Sequence, residues 1–112
     1  MKFNLNQIQM KVIRTAPNGV VNHETLFQFS QKENLVQATY SGGQIQLGFL
    51  VGSVQESILH FSYCQLQIDG KLDNGMSKAE LSHGPENKIR LTEHFEWKSR
   101  PGETGTNIFE QC

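Results

Sequence analysis

Hydrophobic and polar residues alternate along much of this chain, most cleanly over residues 89–97. There Ile89, Leu91, Glu93, Phe95 and Trp97 share one side, while Arg90, Thr92, His94 and Glu96, continued by Lys98, share the other. Side chains on a strand point to alternate faces, so this period of two predicts one buried and one wet face. Glu93 breaks the chemistry of the apolar side. A carboxylate is expensive to bury unless it is paired or hydrogen-bonded. The interior it faces is therefore expected to hold polar partners, with an inward tyrosine, an inward glutamine and Arg14 as candidates.

The same reading places strands at about 3–15 (interrupted), 21–31, 35–41, 44–54, 58–68, 76–82, 88–98 and 105–111. Turn-forming clusters separate them, among them Pro17-Asn18-Gly19, Ser41-Gly42-Gly43, Asp69-Gly70, Asp73-Asn74-Gly75 and Arg100-Pro101-Gly102-Glu103. Breaks about every eight to twelve residues are the spacing of an all-β barrel or sandwich. Only residues 75–81 have a composition that tolerates a helix. Short consecutive strands predict an up-and-down antiparallel barrel of about eight strands, whose closure removes exposed edges. A β-sandwich obeys the same periodicity. A chain of 112 residues suits a single domain over 1–112.

Alternation also assigns an inner face. Residues 21–31 offer Val21, His23, Thr25, Phe27 and Phe29; the next strand offers Val36, Ala38 and Tyr40. Leu59, Phe61, Tyr63 and Gln65 follow, with a change of face expected near Leu66 and Ile68, where apolar residues shift sides. Residues 44–54 are apolar on both sides, which leaves their inner face open and fits cover by a neighbouring subunit or a loop. Their glycines mark a bend or a close backbone approach. Tyr40, Tyr63, Gln65, Glu93 and Trp97 form the candidate ligand-binding set: rings supply contact area, and Gln65 and Glu93 orient the ligand. A barrel of this size is either filled by side chains or holds one small ligand. The alternative is thus a solid core whose outer face makes a homodimer.

Composition narrows the partners. A net charge of -1 leaves no basic surplus for nucleic acid. No apolar run is long enough for a membrane span, and the polar start from Met1 to Gln7 is unlike a secretory signal, so a cytoplasmic protein is expected. Cys64 and Cys112 read as free thiols. His23, His60, His83 and His94 lack metal-ligand spacing, and His94 faces away from Glu93. Ser41-Gly42-Gly43-Gln44 runs into another strand rather than a helix, so it reads as a hairpin turn and not as a phosphate cradle. No catalytic residue, metal or cofactor is expected.

Glu24-Thr25 with Phe27, the run Ala38-Thr39-Tyr40-Ser41-Gly42-Gly43, the glycines of Gly48-Phe49-Leu50-Val51-Gly52, Tyr63 with Gln65, and Ile89-Arg90-Leu91 with Glu93 and Trp97 form a wider pattern. On these residues the chain resembles a family of small bacterial proteins that look like avidin- or lipocalin-type barrels. The resemblance covers most of the chain and implies a barrel with an internal cavity. Many such proteins carry the label N-acetylglutamate synthase, which implies acetyl transfer to glutamate. An acetyltransferase of the usual kind holds the acetyl-CoA pyrophosphate at a helix amino terminus. This sequence offers neither that helix nor the length of the mixed α/β domain around it.

Overall fold

A computed structural model describes residues 3–112; Met1 and Lys2, the first residues of the polar start, lie outside the described residues. The strands are β1 (Ile8–Arg14), β2 (Leu26–Lys32), β3 (Leu35–Gly42), β4 (Ile45–Gln55), β5 (Ile58–Gln67), β6 (Leu72–His83), β7 (Ile89–Trp97) and β8 (Thr104–Gln111). Each pairs antiparallel with the next, and β8 returns to pair with β1. The result is the closed up-and-down barrel that the alternation predicts. Closure satisfies the strand edges that a sandwich would leave open.

Several elements depart from the expected boundaries, each for a tertiary reason. Residues 3–7 do not extend β1 but plug one end of the barrel: Phe3 and Leu5 are buried, and the Leu5 N–H donates to Gln31 Oε1 at 2.8 Å. β2 starts at Leu26 rather than 21, because residues 15–25 leave the sheet as a strap across the opposite end. Ala16, Val20, Val21 and Thr25 are its buried residues. His23, expected to point inward, is exposed on this strap.

Asp73-Asn74-Gly75 is not a turn. The reversal is complete at Asp69-Gly70, where the Gly70 N–H donates to the Gln67 carbonyl at 2.9 Å and Gly70 adopts φ +89°, so β6 already runs from Leu72. Residues 75–81 are accordingly strand. β5 does not change face either: Gln65 and Gln67 stay inward, and Ile68 is exposed. Both glutamines have interior hydrogen-bond partners, which compensates the polar burial that alternation alone makes improbable. The irregularity falls on β4, whose register shifts between Ile45 and Leu47. That bulge turns Ile45, Gly48, Leu50 and Val54 inward and leaves Leu47, Phe49 and Val51 on the outer wall.

Glycine decides how the aromatic interior fits. Tyr40 lies opposite Gly48, Tyr63 opposite Gly75, and Phe95 opposite Gly105. A Cβ on Gly48 would sit 2.3 Å from the Tyr40 ring, and one on Gly75 would sit 2.4 Å from Tyr63 Oη. The absent side chains let large rings lie flat on the curved wall, so the barrel closes around them.

Candidate functional site

The interior beneath the strap carries the polar spot. Glu93 is 6% exposed. Ser77 Oγ donates to its Oε2 at 2.5 Å, and Asn107 Nδ2 donates to its Oε1 at 3.0 Å. Neither partner is the expected tyrosine, glutamine or Arg14; Arg14 points outward. Asn107 lies directly across the β7–β8 ladder from Glu93, whereas Ser77 is the inward β6 residue one step along from Ala79, which faces Glu93 in register. Inward alternation with Phe109 was the signal that could have found Asn107. Burial raises the Glu93 pKa above the ordinary carboxylate value, and the two hydrogen bonds hold part of that rise back.

The remaining candidates lie beside it. Tyr40 Oη donates to Gln65 Oε1 at 2.8 Å, which fixes the amide so that Nε2 is free to point elsewhere. Gln65 Nε2, Tyr63 Oη and Trp97 Nε1 are buried without a hydrogen-bond partner. Burial and the charge of Glu93 push both tyrosine hydroxyls up, so they remain proton donors across the physiological range. Tyr40, Tyr63, Gln65, Glu93 and Trp97 all line one cavity of roughly 30 Å³, closed on the strap side by Val20 and Val21. That volume is about the share of one water molecule.

Rings fill the space around it. Phe27 stacks on Tyr40 with centroids 4.3 Å apart, Phe109 meets Phe27 edge-on at 4.6 Å, and Trp97 takes the edges of Tyr63 and Phe95. The barrel is therefore mostly packed, with a small cavity at the strap end whose largely apolar wall carries a few polar groups.

A second polar cluster closes the same end and had no counterpart in the sequence reading, which put Asp73 in a turn. The Asp73 side chain is fully buried. Arg100 holds it with Nε on Oδ1 at 3.2 Å and Nη2 on Oδ2 at 3.1 Å. Gln67 Nε2 donates to Oδ2 at 2.7 Å, and Ser99 Oγ to Oδ1 at 3.2 Å. The guanidinium also lies 4.6 Å from the centre of the Trp97 ring, so the β7–β8 turn is tied down over the mouth.

Other chemistry-bearing residues face outward. His94 sits on the outer wall between Glu80, 3.0 Å from Nε2, and Thr106, 3.2 Å from Nδ1. Cys64 and Cys112 are free and exposed. Among the described residues, no group of histidine, cysteine and carboxylate side chains is placed to hold a metal ion, and no helix is long and apolar enough to cross a membrane.

Eight antiparallel strands closed in sequential order, around aromatic rings and two buried polar clusters, define a small up-and-down β-barrel protein. More specifically, the chain belongs to the family described as avidin-like proteins, whose model matches residues 3–112. That match agrees with the resemblance carried by the 38–43 hairpin, the glycine-rich β4 and the Glu93 strand. It brings no support for the N-acetylglutamate synthase label, and the only helical turn among the described residues is the 3₁₀ turn Pro85–Asn87. Neither the curated proteins nor the solved structures yield a match to the chain.

Proposed function

We propose that this protein binds one small, uncharged, largely apolar molecule inside the barrel beneath the strap, as a binding protein rather than an enzyme. The observation that carries the reading is the trio of unpartnered polar groups, Tyr63 Oη, Gln65 Nε2 and Trp97 Nε1, around a single cavity. A buried group left without a partner costs about 1–3 kcal/mol, so natural cores keep such groups few. A ligand presenting an acceptor oxygen or nitrogen to these donors offsets that penalty. Membership of the avidin-like family supports small-molecule binding in general.

The surroundings restrict the class further. Aromatic walls suit a flat or apolar body. Glu93 disfavours an anion, and the nearest cation, Arg100, is already engaged by Asp73. A neutral amide, lactam or aromatic carbonyl compound meets these conditions. Native mass spectrometry of protein purified from cells, with thermal-shift screening against those three compound classes, tests the reading. Retained mass, or stabilisation lost in Tyr63→Phe and Gln65→Leu, is the expected result. No retained mass and no stabilisation from any class would remove it.

A second reading rests on the outer wall. Residues 34–68 contain one charged side chain, Glu56, whereas β6 alone carries Asp73, Lys78 and Glu80. Leu47, Phe49 and Val51 of β4 are exposed there, and the same wall continues through Leu72 and Met76 of β6. An uncharged apolar face can oppose its own copy without like-charge repulsion, which favours a two-fold homodimer.

A further inference from the structure

We propose that the strap, residues 15–25, is a lid that opens as a unit over the barrel mouth, and that Asn107 is the latch coupling it to Glu93. The inference rests on the ligand cavity proposed above for its purpose, although the motion belongs to the protein without ligand.

The strap is attached unlike the rest of the barrel. The ladder between β1 and β2 runs only from Ile8–Phe29 to Lys11–Leu26, whereas β5 and β6 stay paired from Ile58–Glu80 to Leu66–Leu72. Beyond Lys11 the chain keeps only its pairing with β8, which ends at Arg14, and then leaves the sheet. Within the strap, Val20 and Val21 contribute two buried side chains to the cavity wall. Its far end is tied by Thr25 Oγ1, which donates to the Gly42 carbonyl at 3.1 Å. Its near end is held by side chains: Asn18 Nδ2 donates to the Thr104 carbonyl at 3.1 Å on the exposed side, and Asn107 makes the buried contacts. Asn107 Oδ1 accepts from the Ala16 N–H at 3.0 Å and from Thr15 Oγ1 at 3.1 Å.

The other half of that amide is spent on Glu93. Asn107 Nδ2 donates to Glu93 Oε1 at 3.0 Å, so the carboxylate fixes which way the amide points. With Oδ1 toward the strap and Nδ2 toward the carboxylate, both ends have partners of the correct sense. Removing the acceptor on the Glu93 side frees the amide to turn, and both strap bonds then lose their acceptor together. The contact is also close: a Cβ on Gly19 would lie 2.7 Å from Thr15 Oγ1 and 3.2 Å from Asn107 Oδ1.

The small size of the cavity, roughly 30 Å³, supplies the reason for motion. Small-molecule sites typically enclose about 300–1,000 Å³, so no ligand of ordinary size enters without displacing a wall. The ring-packed strands are held by backbone ladders on both sides, whereas the strap relies on side-chain anchors. It is the wall that can move at least expense to backbone hydrogen bonding.

Residue-resolved amide hydrogen exchange on the ligand-free full chain provides the test. The Ala16 N–H, though buried, should exchange at least about tenfold faster than ladder amides of β7 and β8, reflecting a local opening. Glu93→Leu should accelerate Ala16 and Gly19 by about a further tenfold and leave β3–β5 amides unchanged. Glu93→Gln, which keeps an acceptor oxygen, should restore the wild-type pattern. If Glu93→Leu does not fold, Thr15→Val, at an exposed position, should by itself accelerate Ala16. Ala16 exchanging no faster than β7 and β8 overturns the lid. Indistinguishable Leu and Gln variants, or an inert Thr15→Val, overturn the latch. A mobile strap on a protein that binds no ligand would count against the proposed function alone, and a ligand bound beneath an immobile strap would count against the lid alone.

Discussion

Asn107 and Glu93 face each other across the ladder between β7 and β8, and the Asn107 amide donates to the Glu93 carboxylate at 3.0 Å. The pair turns a carboxylate stranded among aromatic rings into a partnered one. Ser77 completes it from the other side, and the expense of burial is met by three strands together.

That arrangement sets a pH dependence. Burial places the folded-state pKa of Glu93 above its ordinary value of 4.5, so between the two values the folded protein holds a proton that the unfolded chain releases. The group's contribution to stability therefore grows as pH falls from above the folded pKa toward the unfolded one, and is lost as pH rises. The unfolding free energy of wild type minus that of Glu93→Gln should become more favourable to wild type as pH falls through the range between the raised folded-state pKa and the ordinary value of 4.5. Glu110 is shifted the opposite way, chiefly by its hydrogen bond from Arg90, but is present in both proteins and cancels. Urea unfolding of the two proteins over that range is the measurement, and a flat difference would contradict the burial of Glu93.

Gly75→Ala should be damaging despite its small size. The new Cβ would meet the Glu96 carbonyl at 2.3 Å and Tyr63 Oη at 2.4 Å, so both the backbone of β7 and the ring would have to yield. A loss of about 2 kcal/mol is expected, within the usual range for overpacking. Denaturant unfolding measures it, and near-ultraviolet circular dichroism should report the displaced ring.

Arg100→Ala should destabilise by about 3 kcal/mol, because it strips a fully buried carboxylate of its charged partner. Arg100→Lys should recover only part, since an ammonium reproduces neither the fork on Asp73 nor the contact with Trp97. Adding Asp73→Asn to Arg100→Ala should restore stability. If that double variant remains as unstable as Arg100→Ala, the buried charge is not the cause.

The dimer reading predicts that wild type sediments as a dimer and that Phe49→Glu sediments as a folded monomer whose thermal stability no longer depends on protein concentration. Phe49 is exposed and its outward neighbours Val51 and Leu47 are apolar, so a carboxylate there is harmless to the barrel yet opposes its own copy across a two-fold axis. Analytical ultracentrifugation decides; a monomeric wild type at high concentration would end this reading.

Legibility varied with how local the cause was. The alternations Phe27–Phe29, Ala38–Tyr40, Leu59–Phe61–Tyr63 and Leu91–Glu93–Phe95–Trp97 each predict the face the structure shows, because the pleat enforces a period of two within a single strand. β4 resisted because its residues are apolar on both sides and a bulge between Ile45 and Leu47 reverses the alternation. Asp73 resisted because Asp, Asn and Gly in succession describe a turn equally well until Asp69-Gly70 has made one.

The order of strands and the inward course of Tyr40, Tyr63, Gln65, Glu93 and Trp97 follow from local periodicity and short turns, whereas closure into a barrel rather than a sandwich is decided by the pairing of β8 with β1. What only the tertiary structure decided is which atoms satisfy those residues: Ser77 and Asn107 for Glu93, Tyr40 for Gln65, and no partner for Tyr63 Oη, Gln65 Nε2 or Trp97 Nε1. The strap over the mouth was decided there as well. Strand patterning specifies a direction for each side chain, whereas hydrogen-bond partnership depends on distances between strands that meet only when the barrel closes.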